Sequence, residues 1–399
     1  MSNGIPRPLS TGPESIEIKN FLAIRSGKIT LNAFTTIIGP QASGKSTIVK
    51  LVFFARNFVT RYFRTIADSE RDIRNYKRDQ LENFLYLFGD LEGYNEPFEV
   101  RYVLGTIEVT IKRKTRNRIP AITIGKNLQD TGARLQRDHE NYDRRRSKNE
   151  HLGHPMVLPS YWNSTPERAA FFESCPTTLF IPASRSLFST ASDQLLSDLA
   201  SEDELDPFMM HFGGYYRLAR RSILRGRRDE FNTLVSPIID GSLVRMDSRE
   251  FIVTSRGRVP LPNASSGQKE ALPLLLAVVL YPAAGAIADM MIIERPETQL
   301  FPESQKHTLD LIADMAANTG CSMLVTTHSP YIIACLNNHI TRWGTRPKKD
   351  RDAMTAGAYL VSDGEVRSIM DSEDGLIDMN VLDEVSEEIV SEFLDAYGE

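Results

Sequence analysis

Cysteine is scarce in this chain. Its 399 residues include only Cys175, Cys321 and Cys335, an odd number with no C-x-x-C spacing. That argues against a disulfide framework or a cysteine zinc site and favours a reducing compartment, the cytoplasm. Long apolar runs are also lacking. The longest, 271–287, is interrupted by Pro273 and Pro282, so no segment has the length to cross a bilayer and no membrane partner is expected. The first thirteen residues are polar and carry Pro6, Pro8 and Pro13 instead of the apolar centre of a secretory leader. The seven histidines are scattered, and His151-x-x-His154 lacks Cys or acidic partners in register for a metal. Residues 371–399 contain no Lys or Arg beside eleven acids.

What remains is ordinary globular material, 41% hydrophobic and 25% charged, enough for one large domain or two of average size. The net charge of −5 conceals an asymmetry: without the acidic tail the body carries +6, which permits contact with DNA or RNA without demonstrating it. Ile16 and Ile18 alternate with charged neighbours, and Ile29-Thr30-Leu31 follows a Ser26-Gly27 turn, so 15–34 reads as two strands. A hairpin is expected over 98–124 and another over 244–259. An exposed arm or flexible insertion is expected over 130–154, and 201–228 reads as mostly helical. The last third alternates helix and strand: helix 268–280, strand 290–293, helix 303–317, strand 322–325, helix 331–337, then a hairpin around Asp363-Gly364. Such alternation predicts an α/β fold with a mixed, mostly parallel sheet flanked by helices. An N-terminal antiparallel part and a helical, arginine-rich insertion are expected beside it.

The strongest pattern is Gly39-Pro40-Gln41-Ala42-Ser43-Gly44-Lys45-Ser46, an ungapped match to G-x-x-x-x-G-K-[ST]. A triphosphate needs dense positive potential without bulk. Gly39 and Gly44 let the backbone curl, with Gln41, Ser43 and Thr47 in the same stretch, and the following helix adds its N-terminal partial charge. Lys45 is expected to reach the β- and γ-phosphates of ATP, and the Ser46 hydroxyl to hold Mg²⁺. The apolar strand before this loop and the helical spacing of Ile48, Leu51, Val52 and Ala55 after it supply the required context.

Three further elements follow in fixed order: Ala264-Ser265-Ser266-Gly267-Gln268, the run 290–293 closed by Glu294, and Thr326-Thr327-His328-Ser329. By itself the serine-glycine segment is a helix N-cap. In this order it resembles the signature Leu-Ser-Gly-Gly-Gln of ABC-type ATPases, with Ala264 and Ser266 as departures. That resemblance implies that Ser265, Ser266, Gly267 and Gln268 read the nucleotide of a second copy. The segment 290–302, with Glu294, Pro296-Glu297 and Leu300-Phe301-Pro302, resembles one branch of that superfamily. The branch holds overcoming-lysogenization-defect (OLD) nucleases, RecF-like and SMC-like heads, and many bacterial anti-phage ATPases. There Glu294 matches the first acid, which holds Mg²⁺, and His328 matches the histidine that bonds the γ-phosphate. The position expected to carry the water-polarising glutamate is Arg295. An arginine stays protonated and cannot be a general base. Tight binding with slow or absent turnover is therefore expected, unless Glu297 substitutes.

Weaker signals are Arg185 after an apolar strand, Gln80, Phe21 as an adenine-stacking residue against a core role, and two basic clusters. Arg217, Arg220, Arg221, Arg225 and Arg228 share one helical face, and Lys112, Arg113, Lys114, Arg116 and Arg118 lie near a hairpin end. Val381, Leu382, Val385, Ile389 and Phe393 form an apolar stripe on the acidic tail that docks on its own body or on a partner. The expected division is 1–60 as the first lobe of an ATPase head, 61–175 as an insertion and 176–260 as a helical, basic middle. Residues 261–370 form the second lobe and 371–399 an acidic helix. The resemblance implies a homodimer or higher oligomer clamped around ATP, acting as the ATPase subunit of a two-part anti-phage complex similar to Septu, including its retron-linked form, and secondarily PARIS. Asp363-Gly364-Glu365 reads as a turn and no HNH-like grouping is present, so the nuclease or toxin effector is expected on another polypeptide. The alternatives are a DNA-repair ATPase of RecF type that hydrolyses ATP on DNA, and a transporter ATPase, which the 220 residues between Lys45 and Ser265 disfavour.

Overall fold

A computed structural model of the chain describes residues 12–66, 75–91, 93–116, 118–146, 165–166, 168, 171, 175–191, 206–222, 227–247, 249–280, 288–348, 353–380, 391–392 and 394. Its strands in chain order are β1 (Glu14–Phe21), β2 (Ile24–Leu31), β3 (Phe34–Ile38), β4 (Phe98–Leu104), β5 (Ile107–Arg113), β6 (Ala121–Ile124) and β7 (Thr178–Ile181). They continue with β8 (Ser242–Met246), β9 (Arg249–Thr254), β10 (Gly257–Pro260), β11 (Met290–Glu294), β12 (Ser322–Thr327), β13 (Ala356–Ser362) and β14 (Glu365–Ser368). The helices are α1 (Lys45–Ile66), α2 (Tyr76–Leu87), α3 (Lys126–Arg146), α4 (Ser186–Thr190) and α5 (Pro207–Ser222). After them come α6 (Arg228–Ile239), α7 (Ser266–Leu280), α8 (Pro302–Thr319) and α9 (Pro330–Gly344). The mixed α/β architecture is the expected one. Two compact units share the chain: Met1–Leu31, Ala42–Thr178 and Asp363–Val366 form the first, and Asn32–Gln41, Leu179–Ser362 and Arg367–Glu399 the second.

In the first unit the strand order is β6-β5-β4-β1-β2-β14. Neighbours from β6 to β2 run antiparallel, and β14 lies parallel to β2. Period-two patterning builds these strands: Ile16 and Ile18 are buried, while the intervening Glu17 pairs with Lys19 at 2.8 Å. The same alternation continues through β4 and β5, and a third strand, β6, extends the expected hairpin. One buried ion pair organises the interior. Arg56 of α1 contacts Glu14 and donates to Thr178 Oγ1 at 2.8 Å, and Tyr102 donates to Glu14 Oε1 at 2.7 Å.

One expectation is corrected in this unit, and two weaker signals are placed. Phe21 is fully buried against Phe84, Phe88 and Phe98, with ring centroids 4.8–5.8 Å away, so it is a core residue and not an adenine platform. Gln80 is buried within α2. The segment read as a flexible insertion is helical through Arg146, because Leu128, Thr131, Gly132, Leu135 and His139 make a narrow buried stripe at helical spacing; 147–154 lie outside the described residues. Three members of the basic cluster near β5 are engaged internally, while Lys114 and Arg118 are exposed. Arg113 is buried, donates to the Tyr94 carbonyl and covers the Phe98 ring at 5.4 Å, Lys112 pairs with Glu99, and Arg116 pairs with Glu96 at 2.8 Å.

In the second unit the order is β13-β3-β12-β11-β7. β13, β3, β12 and β11 pair in parallel. Every residue of β3 and β11 is buried, as in strands covered on both faces, which accounts for their mostly apolar sequences, with Thr35 and Thr36 inside β3 and Glu294 closing β11. α7 packs against α4, α5 and α6, and α8 against α9. α7 is apolar nearly all round and buried, with Glu270 as its one buried charge. The expected hairpin over 244–259 is present and extended into a separate three-stranded sheet, β10-β9-β8, and α9 runs on to Gly344, beyond the expected 337. Among the described residues no helix is long and apolar enough to cross a membrane. Tail positions 381–390 and 393 lie outside the described residues.

Candidate nucleotide site

Strand register brings the second unit's site residues to one edge. Glu294, the last residue of β11, pairs with Thr326 of β12, and Thr326 and Thr327 pair with Ile37 and Ile38 of β3. Gly39, Glu294 and His328 therefore leave the carboxyl ends of three adjacent parallel strands, the place where open α/β sheets hold ligands. From Gly39 the chain curls through Ala42 at φ 61° and Gly44 at φ 106°, left-handed conformations of the kind that turn successive N–H groups toward an anion. Gly44 has no room for a side chain, since a Cβ would lie 2.4 Å from Ile24 Cδ1. The first bond of α1 runs from the Ile48 N–H to the Gly44 carbonyl at 3.0 Å, so the N–H groups of the preceding turn emerge at the helix end. Lys45 is buried, with Nζ 3.3 Å from Ser43 Oγ; Gln41 and Ser46 are exposed, and Thr47 is half-buried.

The carboxylates have unspent capacity. Glu294 is buried and its Oε1 accepts no hydrogen bond among the described residues; the same holds for Glu297 Oε2. Glu297 Oε1 accepts the His328 N–H at 2.8 Å, so this acid does reach the end of β12 despite the intervening proline. The His328 residue is exposed there. A buried carboxylate oxygen without a donor is costly unless a cation neutralises it, so Glu294 fits a cation such as Mg²⁺. Among the described residues no three His, Cys, Asp or Glu side chains gather closely enough to hold a metal alone. A cation here would complete its shell with phosphate oxygens and water.

Arg295 follows Glu294 in a left-handed conformation, φ 43°, which a side chain adopts only when its surroundings hold it there. They do: its N–H donates to the Thr326 carbonyl at 2.8 Å, and its own carbonyl accepts from Thr298 Oγ1 at 2.8 Å and Arg185 Nη2 at 3.1 Å. Arg185 is fully buried, and its role is structural, not an approach to phosphate or DNA. Burial pushes its guanidinium below the usual value, against the pull of Glu270, Glu297 and Glu294.

The serine-glycine segment realises the helix cap. Ser265 N–H donates to Gln268 Oε1 at 3.1 Å and Gln268 N–H to Ser265 Oγ at 3.2 Å, a reciprocal capping box. Gln268 Nε2 also donates to the Ile239 carbonyl at 2.7 Å, while Ser265 and Ser266 stay exposed at the open end of α7. Gly267 sits where a Cβ would lie 2.6 Å from the Gln299 carbonyl oxygen. Alanine there gains about 1 kcal/mol of helix propensity, but the overpacking costs about 1–3 kcal/mol. Gly267→Ala is thus expected to lower the urea midpoint with an unchanged slope; a raised midpoint would show that the contact is slack.

The arginine face over α5 and α6 is only partly available. Arg217 is exposed and Arg228 half-buried, while Arg220 Nε and Nη2 donate to the two Glu250 carboxylate oxygens at 3.0 and 2.6 Å. The side chain of Arg221 and the whole of Arg225 lie outside the described residues.

A glycine loop between a buried strand and a helix, with an acid on a neighbouring strand end, defines a P-loop nucleotide-binding protein. The family model described as "AAA domain, putative AbiEii toxin, Type IV TA system" matches residues 34–334, and the chain belongs to that family. No curated protein matches the sequence. Among solved structures, the SMC head domain from Thermotoga maritima is similar over 90% of this chain and 98% of its own, at 13% identity and a TM-score of 0.39. A Smc head domain from Pyrococcus furiosus bound to the C-terminal domain of ScpA is similar over 95% and 99%, at 12% identity and a TM-score of 0.43. The recombination mediator protein RecF is similar over 90% and 99%, at 13% identity and a TM-score of 0.37.

Proposed function

We propose that this protein is an ATP-binding ABC-type scaffold that clamps copies of itself around Mg·ATP, turns nucleotide over slowly or not at all, and controls a separate nuclease or toxin effector in anti-phage defence. One observation carries the reading: Arg295 occupies the residue after the buried acid Glu294, held in a left-handed conformation by bonds on both sides. No carboxylate stands at that position to polarise water. Gly39, Gln41, Ser43, Gly44, Lys45, Ser46 and Thr47 cradle the phosphates, His328 meets the γ-phosphate, and Ser265 to Gln268 serve the nucleotide of a second copy. Mg²⁺, held by Ser46 and Glu294, would supply charge stabilisation of the β- and γ-phosphates. Binding energy then drives the switch, because ATP favours whichever assembly it contacts better. The family description, with its toxin and toxin–antitoxin terms, supports a defence role.

Steady-state ATP turnover by wild type and Arg295→Glu tests the reading. Wild type is expected to be nearly inactive and Arg295→Glu at least about a hundredfold faster, the lower end of what a positioned base contributes. Brisk wild-type turnover that Lys45→Ala abolishes would favour the repair-ATPase alternative. In that case Glu297, whose Oε2 accepts no hydrogen bond among the described residues, is the base.

A further inference from the structure

We propose that Arg185 is a positioning residue that ties the placement of Glu294 to the helix beginning at Ser266. The proposal rests on the nucleotide reading above. Glu270 lies just over one turn into α7, and its two carboxylate oxygens accept the backbone N–H groups of Arg185 and Ser186 at 3.0 and 2.9 Å. In the other direction the Arg185 guanidinium donates to the carbonyls of Glu294 at 2.7 Å and Arg295 at 3.1 Å, the end of β11. It also donates to the carbonyls of Glu270 at 3.2 Å and Pro182 at 3.0 Å. One residue is therefore held by α7 through its backbone and holds the metal-binding strand end through its side chain.

The whole arrangement is dry, since Arg185 is 0% and Glu270 4% exposed. No water can take over a lost bond, so a shift of α7 either carries Arg185 with it or breaks a buried hydrogen bond. The open end of α7, where Ser265 and Ser266 are exposed, is where the second copy's phosphate would dock. Whatever moves α7 there moves the carbonyls on either side of the left-handed Arg295 peptide, and with them the Glu294 carboxylate. Lysine cannot substitute, because its three donors radiate from one point whereas the four acceptors here surround a planar fork.

The experiment measures ATP dissociation constants by calorimetry with Mg²⁺ and with EDTA, for wild type, Arg185→Lys, Glu270→Gln and Lys45→Ala. Circular dichroism confirms folding of each. Wild type is expected to bind ATP more tightly with Mg²⁺. Arg185→Lys should lose at least about tenfold of that Mg²⁺ effect while its affinity in EDTA stays within about threefold. Glu270→Gln, which touches the strand end only through Arg185, should lose part of the effect in the same direction. If Arg185→Lys does not fold, Glu270→Gln decides. Wild type that ignores Mg·ATP, as Lys45→Ala is expected to, overturns the nucleotide reading and this proposal with it. Wild type that binds, with an undiminished Mg²⁺ effect in the folded variants, overturns this proposal alone.

Discussion

Lys45→Ala is expected to weaken Mg·ATP binding at least about a hundredfold while the protein stays folded. A hundredfold corresponds to about 2.7 kcal/mol, within the range of about 1.5–3 kcal/mol for a hydrogen bond to a charged group. The ammonium is already buried at the first residue of α1, so no ordering of a long side chain opposes its use on a phosphate. Alanine removes a charge that the nucleotide-free fold must keep out of water, so the melting temperature should hold or rise. Calorimetric titration with Mg·ATP gives the affinity and a thermal melt gives the fold. Affinity within about threefold of wild type, in a protein that melts normally, would remove the glycine loop from the site.

Arg185→Ala should have the largest effect on stability, a loss of about 3–5 kcal/mol, the range for stripping one partner from a buried charged network. Four carbonyls each lose a donor, and the Glu270 carboxylate loses its counter-charge. Arg220→Ala provides the contrast. Its pair with Glu250 is shorter, 2.6 Å against 3.5 Å for Arg185 and Glu270, but Arg220 is 30% exposed, so solvent screening holds the cost below about 1 kcal/mol. Urea unfolding of the two variants side by side makes the comparison. Equal losses would mean that burial does not set the value of these arginines.

The buried parallel strands were legible because strands covered on both faces are mostly apolar, as Phe34, Ile37 and Ile38 of β3 and residues 290–293 of β11 are. The glycine loop was legible because few residues other than glycine allow its backbone. α3 escaped the reading because its five buried positions are a thin stripe among charges, and composition outweighed period. The buried network escaped for a different reason. Arg185 was visible after an apolar strand, but nothing in one chain segment says that its partners are carbonyls 109 and 110 positions away. A sharper clue lay at Glu270. A single acid followed by Ala271-Leu272-Pro273-Leu274-Leu275-Leu276 cannot enter a core unless donors meet it there. The capping box was also readable, since Ser265 and Gln268 have its spacing, and it coexists with exposed serines at the helix end.

The polypeptide crosses between its two units after Leu31, within the glycine loop at Gln41–Ala42, and again after Thr178, after Ser362 and after Val366. Neither unit is a contiguous stretch of gene. Recombination that swaps one uninterrupted segment cannot deliver a whole unit to a relative, and a chain cut at any single position cannot yield either one intact. The two must be inherited, and synthesised, together.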